Sequence, residues 1–344
     1  MKTYKLSQIC KIINGKSNTC DSNETGEYTF FDRSLITKRS NKYLFDCEAI
    51  IIPGEGTNFI PRYFNGKFDL HQRCYKIESF MSHVNTKYLY YNIYQNKDYF
   101  SRVATGSTVP SLRLNHFLDL ELYIHNLSEQ QHIVNTIGTI DDLIEKKQIE
   151  YNKKLKYLLF LLDKSESDKT NTFGYVFKSF NGGTFESKYY VTNSNKKLIT
   201  IKNIDDSGFN TNNVSQLSEE KADNKYLLSI GDIVLTMTGN IGRSGIVDEN
   251  NCYLNQRVLK ITSNSSSYLF AYLHKYKKEI IQLGKGTAQL NLSLDDLKEL
   301  KVFNSYDEIT SFKKYDCLYS SLLNCKLVIK KAKRIKQLLL SKYF

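Results

Sequence analysis

Two dipeptides, Gln72-Arg73 and Gln256-Arg257, stand in the related stretches LHQRCYKI and LNQRVLKI. Each residue type can make two hydrogen bonds to one planar partner. A guanidinium fork matches the O6 and N7 of guanine, and a carboxamide matches the N6 and N7 of adenine. The chemistry on offer is recognition of a base edge, not bond making. Patterns that would suggest catalysis do not hold. AIIIPGEGTNF, from Ala49, runs a strand into GxG, but its counterpart IVLTMTGNIG keeps the strand and the turn without that spacing, and another strand follows both. Tight turns explain the glycines better than a phosphate loop does. NGKS at Asn14 to Ser17 has Cys10 where a P-loop needs its first glycine. Pro53, Pro61 and Pro110 stand apart, so neither an Asn/Asp-Pro-Pro-aromatic methyltransferase loop nor the Pro-Asp of metal-dependent nucleases is present. His71, His83, His116, His125, His132 and His274 form no HExxH, and Cys10, Cys20, Cys47, Cys74, Cys252, Cys317 and Cys325 form no CxxC. Neither a metal site nor a disulfide framework is expected.

The elements that must position these residues come in two copies. GSTVPSLRLNHFLDLELYI from Gly106 and GTAQLNLSLDDLKELKVFN from Gly286 align without gaps, pairing Leu112 with Leu292, Leu114 with Leu294, Phe117 with Leu297, Leu120 with Leu300 and Leu122 with Val302. EAIIIPGEG and GDIVLTMTGNIG read as apolar strands closing on glycine turns, and the Gln-Arg stretches as short strands. Downstream of each copy lies a long amphipathic pattern. In the first it comprises Ile133, Ile137, Ile140, Ile144, Tyr151, Leu155, Leu158 and Leu162, with Ser128 as the expected N-cap and Gln131 as its capping-box partner. In the second it comprises Leu318, Leu322, Cys325, Ile329 and Ala332. A helix of about 35 residues, roughly 50 Å long, offers more apolar seam than a small domain covers, so the two helices are expected to pair antiparallel. The chain reads as a tandem duplication of a globular reader followed by a helix.

A length of 344 residues suits two such domains. Forty-eight Lys and Arg against thirty-six Asp and Glu give a formal charge of +12 and favour a polyanion, above all nucleic acid. With no apolar run of the ~20 residues needed to cross a bilayer and no signal-peptide start, a cytoplasmic protein is expected.

The GDIVL, TGNIGR and NQR series, the GST segment with its repeated leucines, and LSEQQHIVNTIGTIDDLIEKK opening the long helix together resemble the specificity subunits of type I restriction-modification systems. The resemblance covers essentially the whole chain. It implies an α+β fold: two strand-rich target recognition domains in tandem, each followed by a long helix, the helices packing as an antiparallel coiled-coil-like spacer with pseudo-two-fold symmetry. The corresponding segments are residues 1–125 and 166–304 for the readers, and 126–165 and 305–344 for the helices. It further implies a non-catalytic DNA-binding subunit that recognises a bipartite, asymmetric target, with double-stranded DNA, two modification (methyltransferase) subunits and restriction (translocase/endonuclease) subunits as partners, in DNA methylation and phage defence. No cofactor is expected on this chain; S-adenosylmethionine belongs to the modification subunits, and ATP and magnesium to the restriction subunits. One departure stands out: the second helix begins SYDEITSF, without the Glu-Gln pair of LSEQQ.

Candidate DNA-binding residues are the polar groups on turns and strand ends. In the first half these are Arg33, Lys38, Arg39, Arg62, Gln72, Arg73, Ser107 and Thr108. In the second they are Lys202, Asn203, Thr238, Asn240, Arg243, Asn255, Gln256, Arg257, Lys285 and Thr287. Each has a plainer reading too, since surface Arg and Lys are commonly just solvated and the repeated Gln-Arg can brace the fold. For subunit or helix–helix contact the candidates are Gln130, Gln131, Ile133, Ile137, Ile140, Ile144, Leu318, Leu322 and Ile329. The rival readings are a standalone DNA-binding or inhibitory protein and a reader fused to an unrecognised nuclease activity.

Overall fold

The computed structural model describes residues 2–286 and 289–344, so Thr287 lies outside the described residues. The chain divides into two compact units, Met1–Leu143 with Ala332–Phe344, and Ile144–Lys331.

The first unit begins with β1 (Lys2–Lys5), α1 (Leu6–Ile9), β2 (Cys10–Asn14), β3 (Tyr28–Phe31), β4 (Lys38–Ser40), β5 (Phe45–Pro53), β6 (Arg62–Leu70) and β7 (Cys74–Ser79). It continues with α2 (Thr86–Gln95), α3 (Asp98–Val103), α4 (Leu114–Leu118), β8 (Glu121–Ile124) and the start of α5 (Leu127–Ser165). Six strands form one sheet in the order β2-β7-β5-β6-β3-β4, antiparallel except where β3 runs parallel to β6. The run Ala49-Ile50-Ile51-Ile52 is central because alternate side chains serve opposite faces. Ile50 and Ile52 join Tyr75, Ile77 and the α2 residues Tyr88, Leu89 and Tyr91, whereas Ala49 and Ile51 pack with Phe31, Phe68, Leu70 and Cys74.

In the second unit come β9 (Asn171–Thr172), α6 (Phe173–Val176), β10 (Lys178–Asn181), β11 (Tyr190–Val191), β12 (Lys197–Ile199), β13 (Ile204–Asp205), β14 (Gly208–Phe209), β15 (Ser215–Leu217) and β16 (Leu227–Leu228). Then follow β17 (Ile233–Thr236), β18 (Ser244–Ile246), β19 (Cys252–Leu254), β20 (Val258–Thr262), α7 (Ser266–Lys275), α8 (Lys277–Gln282), α9 (Leu294–Lys298), β21 (Lys301–Val302), α10 (Tyr306–Ser311) and α11 (Asp316–Tyr343). Here the larger sheets are a four-stranded one, β10-β20-β17-β18, and a five-stranded one, β11-β15-β12-β19-β16, beside the two-stranded pairs β13-β14 and β21-β9. The duplication survives in the helices: α2 and α7 have 10 residues each, α3 and α8 have 6, and α4 and α9 have 5.

Antiparallel helix pairing is built within each unit. In the first, Ile133 and Ile137 of α5 share a core with Leu340 of α11, while His132 meets Tyr343 and Asp141 accepts from Lys336 at 2.5 Å. In the second, Leu155, Leu158 and Leu162 of α5 pack with Leu318, Tyr319 and Leu322 of α11, and Lys154 bonds Ser321. Ile140 and Ile144 are half-buried, and Ile329 is buried.

The start of α5 differs from expectation. Asn126, not Ser128, is the cap: its side chain accepts the Glu129 amide at 3.0 Å, because α5 begins at Leu127. Gln131 is exposed and donates to Asn135. Gln130 is 0% exposed: it accepts the Asn85 amide at the α2 N-terminus and donates to the carbonyls of His83 and His125. In the second unit the same task falls to Asp316, which accepts the Ser267 amide and the Ser265 hydroxyl at the α7 N-terminus, so that copy needs no equivalent of Gln130. The C-terminal helical segment is also broken. A 3-10 stretch, Phe312–Tyr315, separates α10 from α11, and its tighter winding brings Phe312 into the core edge-on to Tyr268.

Gln130→Ala strands one buried amide and two carbonyls, so we expect a loss of about 3 kcal/mol in a denaturant melt. Gln131→Ala should stay within roughly 0.5 kcal/mol. Equal, small effects of the two substitutions would refute the clamp.

Candidate nucleic-acid interface

The Gln-Arg pairs sit on turns leading into strands, not within the strands. After β6 the chain turns through His71, Gln72 and Arg73 into β7. The Gln72 amide donates to the Ser17 carbonyl at 2.8 Å, the Cys74 amide to the His71 carbonyl at 2.9 Å, and the Arg73 amide to Nδ1 of His71 at 3.1 Å. After β19 the same turn recurs. The Gln256 amide donates to Gly183 at 2.9 Å, the Val258 amide to Asn255 at 2.9 Å, and the Arg257 amide to the Asn255 carboxamide oxygen at 3.2 Å. Asn255, a candidate base reader, thus caps the turn, and His71 does the same in the other copy.

A second strap holds each turn from the opposite side. The Gly54 amide donates to the Arg73 carbonyl at 2.8 Å, the Leu112 amide to Gly54 at 2.8 Å, and the Gly56 amide to Pro110 at 3.0 Å. Met237 to Arg257 at 3.0 Å, Leu292 to Met237 at 2.8 Å, and Gly239 to Leu290 at 2.8 Å repeat it. Thr105 with Ser111 and Lys285 with Asn291 close two matching loops, the first of which carries the GST tripeptide. Gly106 and Gly286 open those loops at φ of 114° and 123°, and a Cβ would fall 2.8 Å from the Val109 carbonyl oxygen and 2.5 Å from that of Gln289. Ser107 and Thr108 are exposed on the first loop.

Side-chain placement sorts the remaining candidates. Arg33 and Arg73 both bond Glu55. Gln72 donates to Asn18 at 2.5 Å, and Gln256 accepts from Thr184 at 2.7 Å. Thr238, Gln256 and Arg257 line one groove of about 480 Å³ with Asn181, Asn291 and Ser293. Others are committed to the fold. Arg62 donates to the carbonyls of Asp32 and Ser34, with its Nε buried and unpaired. Arg39 donates to the carbonyls of Gly26 and Glu27. Asn203, 2% exposed, accepts from the Thr200 amide and hydroxyl. The Asn240 carbonyl accepts from Thr236. Lys38 pairs with Asp32, Arg243 with Asp206, and Lys285 with Asp296, while Lys202 is exposed. Sequence reasoning missed Glu55, Asn18, Asn181 and Asn291. Matching Gly56 to Gly239 would have set Glu55 opposite the chosen Thr238 and exposed the first omission. Among the described residues no cluster could hold a metal ion, and no helix is long and apolar enough to cross a membrane.

Since a backbone N–H can only donate, His71 must be unprotonated at Nδ1. Its pKa is pushed below the ordinary 6.5 by burial first and then by Arg33 and Arg73, against the opposite pull of Asp32 and Glu55. The folded value lies below the unfolded one, so the stabilisation is complete above about pH 6.5 and is lost as pH falls through the lowered folded pKa. Melting at pH 7.5 and 5.5 should show a larger drop for the natural chain than for His71→Asn, which keeps the acceptor as Asn255 does. Equal drops would refute the assignment.

The geometry has known counterparts. The type I restriction modification DNA specificity domain matches residues 1–157 and 169–303. The type I restriction enzyme EcoDI specificity subunit of Escherichia coli is 30% identical over 139 residues, 40% of this chain and 31% of that protein. A Mycoplasma pneumoniae protein described as a type I specificity subunit is 23% identical over 169 residues, 47% of this chain and 46% of that one. The matched stretches span less than half of either relative. The crystal structure of a type I restriction-modification S subunit from M. genitalium shares the fold, with a TM-score of 0.62 at 18% identity over 100% of this chain and 96% of that one. Because the family match takes in both Gln-Arg turns and most of the chain, this protein belongs to the family of type I restriction-modification DNA specificity domains.

Proposed function

We propose that this chain is the DNA sequence-specificity subunit of a type I restriction-modification complex and reads a bipartite, asymmetric target. The observation that carries the reading is the turn built twice on the same backbone hydrogen bonds but surrounded by different side chains: Glu55 and Asn18 in one copy, Thr238 and Thr184 in the other. A shared frame with different readers suits two half-sites of different sequence. The charge of +12 supplies sequence-independent attraction to phosphates, while the few side chains on the turns supply discrimination.

In this reading α5, 39 residues and roughly 58 Å long, serves as the spacer that fixes an ignored gap between half-sites about one helical turn or more apart. The chain supplies the address. Two modification subunits supply methyl transfer from S-adenosylmethionine to adenines flipped out of the stack, and restriction subunits supply ATP- and magnesium-dependent translocation and cleavage. Exposed Ile149, Tyr157 and Phe160 on α5 suit burial by such subunits. The assembly is cytoplasmic in this reading.

Methylome sequencing of cells with and without the chain tests the proposal: a split motif should vanish when the chain is deleted. Arg257→Ala should weaken binding by about 1–3 kcal/mol and relax one position of one half-site only. Methyl transfer or cleavage by the chain alone, or a motif in one continuous block, would overturn the reading.

A further inference from the structure

We propose that Glu55 is a positioning residue that sets Arg33 and Arg73 as a paired guanine reader in the first unit, a device not found among the described residues of the second. The inference rests on reading the chain as a DNA-specificity subunit. Glu55 Oε2 accepts from Nη1 of Arg33 at 2.8 Å, and Oε1 accepts from Nη1 of Arg73. Each guanidinium spends only Nη1 on the carboxylate, leaving Nη2 and Nε as two adjacent donors, the pattern that guanine O6 and N7 accept.

Exposure divides the roles. The Glu55 side chain is 17% exposed, whereas Arg33 is 45% and Arg73 57% exposed. With both oxygens occupied, the carboxylate is poorly placed to accept from a cytosine amino group itself. Partial burial works against its charge, but the hydrogen bonds from Arg33 and Arg73 prevail and hold its carboxyl below the usual range. It therefore stays anionic at neutral pH and keeps both tethers.

Arg73 is fixed at three points: its amide by His71, its carbonyl by Gly54 and its guanidinium by Glu55. Arg257 has the first two equivalents, in Asn255 and Met237, but its exposed side chain has no partner among the described residues. At the Glu55 position the second unit has Thr238, whose hydroxyl donates to Asn291 at 2.8 Å. A tethered side chain has already lost rotamer freedom, so less is lost when it meets a base and a wrong base is penalised more sharply.

Selection of random duplex DNA by the chain assembled with its modification subunits tests this. The half-site read by the first unit, identified as the one Arg257→Ala leaves intact, should contain guanine. Glu55→Thr should cut guanine preference there by at least about 5-fold, with the other half-site unchanged, and Glu55→Gln should have a smaller effect in the same place. Arg73→Lys, which keeps the charge but not the fork, should lose the same position. Undiminished guanine preference in both Glu55 variants, absence of guanine from that half-site, or equal loss in both half-sites would overturn the positioning role. If the natural complex selects no split motif at all, the specificity-subunit reading itself fails.

Discussion

A turn that exposes an arginine at the mouth of a sheet leaves its own amide in need of an acceptor, and everything displayed around the two reading turns follows from how that need is met. In one copy a histidine ring nitrogen takes the amide, in the other an asparagine carboxamide. Both side chains place an acceptor two residues ahead of the donor, so unlike residues enforce one backbone path. The opposing strap from Gly54 or Met237 takes up the arginine carbonyl. With both backbone groups satisfied, the side chains nearby differ between the two copies while the frame does not.

The helices are tied to the readers by buried polar clamps as much as by apolar packing. Gln130 and Asp316 lie at different places in their helical segments, yet each receives amides or hydroxyls at the N-terminus of a ten-residue helix in its own unit. In the first unit, Lys336 combines an ion pair to Asp141 with positions over the rings of Tyr90, Tyr91 and Tyr94. Such groups are costly to bury and costly to leave unpaired, so they specify which face of a helix meets the reader.

Formal charge overstates the free charge that the reading turns present. Arg33, Arg73, Arg243, Lys38 and Lys285 each have a carboxylate partner within their own unit. Exposed pairs of this kind add little stability, but they set the direction in which a guanidinium points. For these five side chains the ion pair serves orientation, and attraction is left to the net charge of the chain as a whole.

The sequence by itself determined the duplication, the apolar strands ending on glycine, the long amphipathic helices and the recurrence of Gln-Arg in both copies, because period and offset are properties of the chain; that the Gln-Arg pairs stand on turns before their strands was decided by the fold. Gly106 and Gly286 were legible for the same reason: a left-handed φ leaves its mark as glycine. Tertiary structure alone decided which candidates face outward. Arg62 and Asn203 look like readers in a string of letters and prove to be braces, while Glu55, hidden in a glycine turn, gathers arginines from positions 18 and 22 residues away. It also moved the α5 cap to Asn126, and divided in two sheets what the first copy keeps in one. Partners of polar side chains are chosen through space, by distances that spacing along a chain does not encode.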